Sequence, residues 1–122
     1  MNIDDIRTTC LAKPYATEDF PFDETTLVFR IGVKGKIFAL TDLNDSPAKI
    51  ALKCDPEYAV ELRERYEAVQ PGWHLNKKHW NTIELDGSMP RKLIDELVEL
   101  SYQLIFNSLT KKQREALPPR KD

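Results

Sequence analysis

The segment Pro71–Thr82, PGWHLNKKHWNT, holds the densest mixture of reactive and recognition side chains in the chain. It has no acidic residue. Lys77 and Lys78 supply cations, Trp73 and Trp80 flat rings, His74 and His79 imidazoles, and Asn76 and Asn81 amides. Cations that meet phosphates and rings that stack on bases are what nucleic-acid binding requires. The amides can add hydrogen bonds to base edges or phosphates. The competing structural readings are Trp80 as a core residue and Asn76 as a satisfier of loop backbone. A second set of cations lies at Val33-Lys34-Gly35-Lys36, where Lys34 and Lys36 flank a tight turn. A hairpin tip of this kind can lie along a groove and touch phosphates. Lys49 and Lys53 share one face of a later strand and can extend that surface. Lysines on exposed turns and strands also serve solubility and edge protection.

Other chemistries find less support. His74 and His79 are five residues apart, not the i,i+4 spacing of a zinc-binding helix, and the two cysteines, Cys10 and Cys54, form no paired ligand motif. There is no glycine-rich phosphate loop, nucleophile elbow or HExxH pattern. Cys54 closes an apolar strand and reads as a buried structural thiol. Ser101 and Tyr102 fall mid-helix, where packing or a hydrogen bond to the 71–82 loop accounts for them. The expectation is a protein with no catalytic residues, no metal and no cofactor.

The chain has 122 residues, 41% apolar and 31% charged, which fits one compact domain over residues 1–122. No run approaches the ~20 apolar residues of a membrane helix. The N-terminus lacks the basic and apolar regions of a signal peptide, so the thiols are expected to be reduced in a cytoplasmic monomer. Net charge is −2, but it is uneven: residues 1–26 carry six acids against two bases, leaving the body at +2. That bias is compatible with an anionic partner.

The elements that must position these residues follow from pattern. Asn2 caps a first helix through about Leu11, with Ile3, Ile6, Cys10 and Leu11 on its inner face, and Pro14 stops it. Residues 15–26 form an irregular acidic connection, pinned to the core by Phe20 and Phe22. Period-two alternation gives strands over 27–33, 36–41 and 48–54. Asp55-Pro56 opens a helix whose buried stripe is Tyr58, Leu62 and Tyr66, with Glu61 and Arg65 as an exposed pair. Pro71-Gly72 has type II turn chemistry. A loop then leads into a strand bearing Trp80, Thr82 and Leu85. A long amphipathic helix runs from Pro90 to about Leu109. Thr110 and Gln113 form a capping box for a short last helix, and a basic tail starts near 117. The order predicts a two-layer α+β domain, with helices packed on one face of an antiparallel sheet.

These residues resemble the MmcQ/YjbR family across nearly the whole chain. The carriers are Cys10 to Pro14, Phe20-Pro21-Phe22, Lys36-Ile37-Phe38-Ala39-Leu40, Leu52-Lys53 before Pro56, the 71–82 block, and Ser101-Tyr102. The 71–82 block is the most specific. The resemblance implies a CyaY-like, that is frataxin-like, sandwich and the family's usual description as DNA-binding proteins. A frataxin-like fold also raises iron binding through N-terminal acids, but Asp4 and Asp5 are too few to converge on a hard cation. The sequence reading therefore expects double-stranded DNA as partner. Lys34 and Lys36 touch phosphates from the hairpin. Trp73, His74, Asn76, Lys77, Lys78 and His79 form the second contact, with Trp73 as a stacking platform. The alternative is a protein-interaction adaptor that uses the same loop, with Trp73 and His74 as anchors.

Overall fold

Asn2 opens the first helix, α1 (Ile3–Leu11), through a reciprocal capping box. Its side chain accepts from the Asp5 N–H, and the Asp5 carboxylate accepts from the Asn2 N–H, both at 2.9 Å. The computed structural model describes residues 1–72 and 75–119. After α1 come β1 (Ala16–Asp19), β2 (Thr26–Ile31), β3 (Ile37–Asp42) and β4 (Lys49–Lys53). Then follow α2 (Pro56–Arg65), β5 (Val69–Pro71), β6 (Trp80–Glu84), α3 (Arg91–Asn107) and α4 (Lys111–Glu115). The strands form one antiparallel sheet in the order β1-β2-β3-β4-β6-β5.

Two strands lie outside the alternating pattern, β1 and β5, and both are edge strands. β1 falls in the segment expected to be irregular. Its residues, Ala-Thr-Glu-Asp, are all half-buried, so it carries no apolar alternation. β5 is three residues long and ends in Pro71, expected to be a turn residue. A proline is tolerated there because an edge strand leaves one row of amides unpaired.

Leu27, Phe29, Ile31, Ala39, Ile50, Leu52 and Ile83 point to one face and pack with α1, α2 and α3. Alternation on β4 is as expected, with Ile50 and Leu52 inside this core. In α2 the fully buried residues are Ala59 and Leu62, with Tyr58 and Tyr66 only half-buried. Glu61 and Arg65 make no ion pair among the described residues. Phe20 and Phe22 do not pin their segment to the core; they are 46% and 67% exposed. The core interior is already filled by Phe29, Phe38 and Tyr102, the last two packed edge to face with centroids 5.3 Å apart.

Ser101 and Tyr102 both make structural hydrogen bonds from α3 to other parts of the fold. A bulge in β3 puts Phe38 between the residues opposite Phe29 and Arg30, which interrupts the ladder to β4. The Ser101 hydroxyl bridges the break: it accepts from the Lys53 N–H (2.9 Å) and donates to the Phe38 carbonyl (2.6 Å). A buried unpaired amide and carbonyl would each cost about 1–3 kcal/mol. The Tyr102 hydroxyl donates to the Pro14 carbonyl at 2.6 Å, tying α3 to the end of α1.

The register sets two distinct ends. Arg30 stands opposite Ile37 and Lys53 opposite Trp80. The 32–36 turn, the entry to α2 and the loop before β6 are therefore at one end. Thr26 stands opposite Asp42 and Lys49 opposite Glu84, so the 20–25, 43–48 and 85–90 segments are at the other.

Candidate nucleic-acid interface

The 32–36 turn is built by its glycines. Gly32 has φ +84° and Lys34 φ +59°. A Cβ at Gly35 would lie 1.8 Å from the Ile31 carbonyl oxygen, so no other residue fits this turn. Arg30, paired with Asp19 at 2.8 Å, donates from Nη1 to the Gly35 carbonyl at 2.8 Å and fixes the turn to the sheet. Lys34 is exposed at its tip. Lys36 is committed elsewhere. Its Nζ donates to the Ser108 carbonyl (3.0 Å) and meets the Ser108 hydroxyl at 3.2 Å, a cation set at the negative end of α3.

The loop before β6 is held by backbone bonds. Asn76 accepts from Lys78 N–H through its side-chain Oδ1 (2.9 Å), and from His79 and Trp80 N–H through its carbonyl (3.1 and 2.9 Å). Asn76 therefore has a local backbone task, as the structural reading of it supposes. The Cys54 N–H donates to the His79 carbonyl at 2.7 Å and Arg63 Nη1 to the Lys77 carbonyl at 3.0 Å. With the backbone fastened in this way, Lys77 and Lys78 point their side chains into solvent and His79 is half-buried. Among the described residues no ion pair engages Lys34, Lys77 or Lys78. Trp73 and His74 lie outside the described residues, so the stacking platform and the anchors assigned to them are not placed.

Three further residues are placed differently from expectation. Asn81 is 2% exposed and donates from Nδ2 to the Ala59 carbonyl at 3.2 Å, fastening β6 to α2. Burial removes it from any contact with a base or phosphate. Trp80 is half-buried, on the sheet face opposite Asn81, beside Lys53. Lys49 does share a face with Lys53, but it stands opposite Glu84 at the far end of the sheet and does not extend the hairpin surface.

The structure adds α4 to the basic end. Leu117, expected to begin a free tail, is half-buried and packs against Gly32, where an added Cβ would come within 2.8 Å of its Cδ2. This seats α4 against the 32–36 turn, across a groove lined by Lys34, Gln113 and Leu117. Gln113 of α4 and Ala116 at its end face this groove, and the same helix carries Lys111, Lys112 and Arg114. Arg114 lies over the Phe106 ring at 5.1 Å, and Lys111 is 4.0 Å from Glu115. The signal was present in the Lys-Lys-Gln-Arg run behind the Thr110–Gln113 capping box, but only the contact with Gly32 brings it to the hairpin.

The buried thiols show no sign of activation. Burial is the main cause that pushes Cys10 up to about 12 and Cys54 up to about 11. Both stay protonated at neutral pH, away from the thiolate a nucleophile needs. No cluster of three or more His, Cys, Asp or Glu suited to a metal ion occurs among the described residues. No helix among them is long and apolar enough to cross a membrane.

Comparison with known proteins places this geometry in a family. The chain is 37% identical over 117 residues to the uncharacterized protein YjbR of Escherichia coli K12, covering 96% of this chain and 98% of that protein. It is 31% identical over 109 residues to the uncharacterized protein YbdF of Escherichia coli O157:H7, covering 89% and 88%. The crystal structure of Deinococcus radiodurans DR2400, with its DUF419 domain, superposes with a TM-score of 0.88 at 44% identity, covering 95% of this chain and 87% of that one. A crystal structure from Pseudomonas syringae gives 0.74 at 30% identity, covering 86% and 99%. The family model described as YjbR matches residues 11–104, a span that holds both the 32–36 turn and the loop before β6, and the chain belongs to the YjbR family.

Proposed function

We propose that this protein is a non-enzymatic binder of double-stranded DNA. Its affinity is modest and largely independent of sequence, and it engages the backbone with the basic end of the sheet. The observation that carries the reading is the shared location of the two lysine-bearing segments. Adjacent strands are spaced by ~4.8 Å, so the β2–β3 turn and the loop entering β6 are separated by about 10–15 Å. That separation is within the span of a few phosphates along one DNA strand. Lys34, Lys77 and Lys78 are exposed cations of this end with no ion pair among the described residues, α4 carries further cations at Lys111 and Lys112, and Lys36 serves α3 instead. Lysines meet phosphates, and phosphate contacts position a protein on the duplex without carrying sequence information.

The test is a fluorescence-anisotropy titration of a labelled duplex, repeated across ~50 to 200 mM salt, where each phosphate contact is worth about a 3.5-fold loss in affinity. The reading expects saturable binding with a steep salt slope. It also expects a slope reduced by roughly two when Lys77 and Lys78 are both replaced by alanine. Absence of binding at low salt by folded protein overturns it, and an unchanged slope in the double variant removes the loop from the site.

A further inference from the structure

The sheet face opposite the helices has a depression at its centre, caused by residue size. Val28, Leu40, Ala51 and Thr82 stand in one row across β2, β3, β4 and β6 on this face. Ala51 and Thr82 are small, and the space above them is not filled from the sheet. Phe22, from the loop after β1, and Leu75, from the loop before β6, complete the lining of a cleft of about 540 Å³. That volume falls within the ~300–1,000 Å³ of small-molecule sites. Phe22 is 67% exposed at its margin, an aromatic surface with much apolar area still to bury.

Among the described residues, the charged part of the lining has one dominant sign: Asp23, Asp42 and Asp45 against Lys49. Lys49 already stands across the ladder from Glu84. Asp23 is held in its charged form, because it accepts from the Thr26 N–H at 2.6 Å and the Thr25 N–H at 2.9 Å, which lowers its pKa. The floor belongs to β3, β4 and β6, inner strands flanked on both sides, so an extended peptide cannot add to the sheet here. Recognition is left to apolar filling and to charge.

We propose that this cleft binds a small organic cation, with an apolar or aromatic body over Ala51 and Thr82 and an ammonium group toward Asp23, Asp42 and Asp45. The site is independent of DNA binding. The probe is tryptamine, titrated into isotopically labelled full-length protein and followed by amide chemical shifts, with indole-3-propionate as the anionic comparison. Saturable shifts centred on Leu40, Ala51 and Thr82 are expected for tryptamine, with the anion at least ~10-fold weaker. Ala51→Leu, which fills the cleft, should abolish the shifts, and Thr82→Leu serves if that variant does not fold. Neutralising Asp42 and Asp45 together as D42N/D45N should weaken tryptamine severalfold. No shifts up to ~10 mM tryptamine, or equal affinity for the anion, overturns the proposal. So do shifts that survive in a folded cleft-filling variant.

Discussion

The two ends of the sheet close their loops with the same device but different residues. At one end Asp23, Asp42 and Asp86 each accept from the backbone N–H two residues on, at 2.9 Å, from Thr25, Asn44 and Ser88. At the other end the same bond at the same length runs from the Lys78 N–H to Asn76. An Asx turn needs a side-chain oxygen, not a charge. Aspartate satisfies that need and adds a negative field; asparagine satisfies it and adds none. The carboxylate end closes its loops with aspartate oxygens and keeps a negative field, whereas the asparagine end closes its loop without placing a charge beside Lys77 and Lys78. Loop closure and surface potential are thus set by one choice between two nearly isosteric residues.

The severest way to break this contrast is to reverse the charges that the neutral turn leaves free. Lys77→Glu with Lys78→Glu should cost at least ~10-fold in duplex affinity at low salt, with the thermal midpoint unchanged. Asp42→Asn, at the far end, should leave affinity within error. Equal effects from the two ends, measured by anisotropy at one salt concentration, would show that only net charge matters and that the basic end is no site.

Asn76→Asp tests the residue choice itself. The turn should survive, because the introduced carboxylate offers the same oxygen to the Lys78 N–H, and stability should stay within ~0.5 kcal/mol as for most surface changes. Affinity should fall by a few-fold, from one carboxylate placed beside two lysines. A variant that unfolds, or one that binds as tightly as the parent, would separate the turn from the electrostatics in a way that the comparison of ends does not allow.

Much of this organisation was legible in the sequence. The inner strands and α3 announced themselves through period two and period 3.6, because they bury a face each. Asn2, Asp55 and Thr110 were readable as caps, since capping is local chemistry, and each accepts the expected N–H. The edge strands were hidden because β1 and β5 bury too little to need a pattern. For the site, sequence supplied the lysines but not their commitments. Nothing local distinguishes Lys34 from Lys36, yet one is at a turn tip and the other is bound to Ser108, 72 residues away. Asn81 sits within a block rich in lysine, histidine and asparagine and is buried, because the alternation of β6 points it at α2.

That hidden difference between Lys34 and Lys36 gives a smaller and sharper test. Lys34→Gly removes a charge and also the cost of a non-glycine residue at positive φ, ~1–2 kcal/mol, partly offset by glycine's greater freedom in the unfolded chain. It should lower the salt slope by about one while leaving stability equal or slightly higher. Lys36→Met should do the opposite, costing about 0.5–1 kcal/mol through the lost bond to Ser108 and leaving the slope unchanged. Denaturant melts and anisotropy on the same two variants decide it. If Lys36→Met lowers the slope as much as Lys34→Gly, the bond to Ser108 yields to DNA.

The smallest effect belongs to the acidic end and depends on pH. Asp23 has its pKa lowered, first by the Thr26 N–H and then by the Thr25 N–H, and Asp86 by Ser88. A carboxylate depressed in the folded state stabilises that state fully above its unfolded value, 3.8, and the contribution is lost as pH falls through the folded value. Asp23→Asn keeps an oxygen for the two N–H groups but loses the charge they favour. The variant should therefore be slightly less stable than the parent at pH 7, and the gap should close as melts are taken from pH 5 down to about 3. A gap that stays constant with pH would mean that the turn depends on the shape of residue 23 alone. Charge at that end would then have no part in closing the loop.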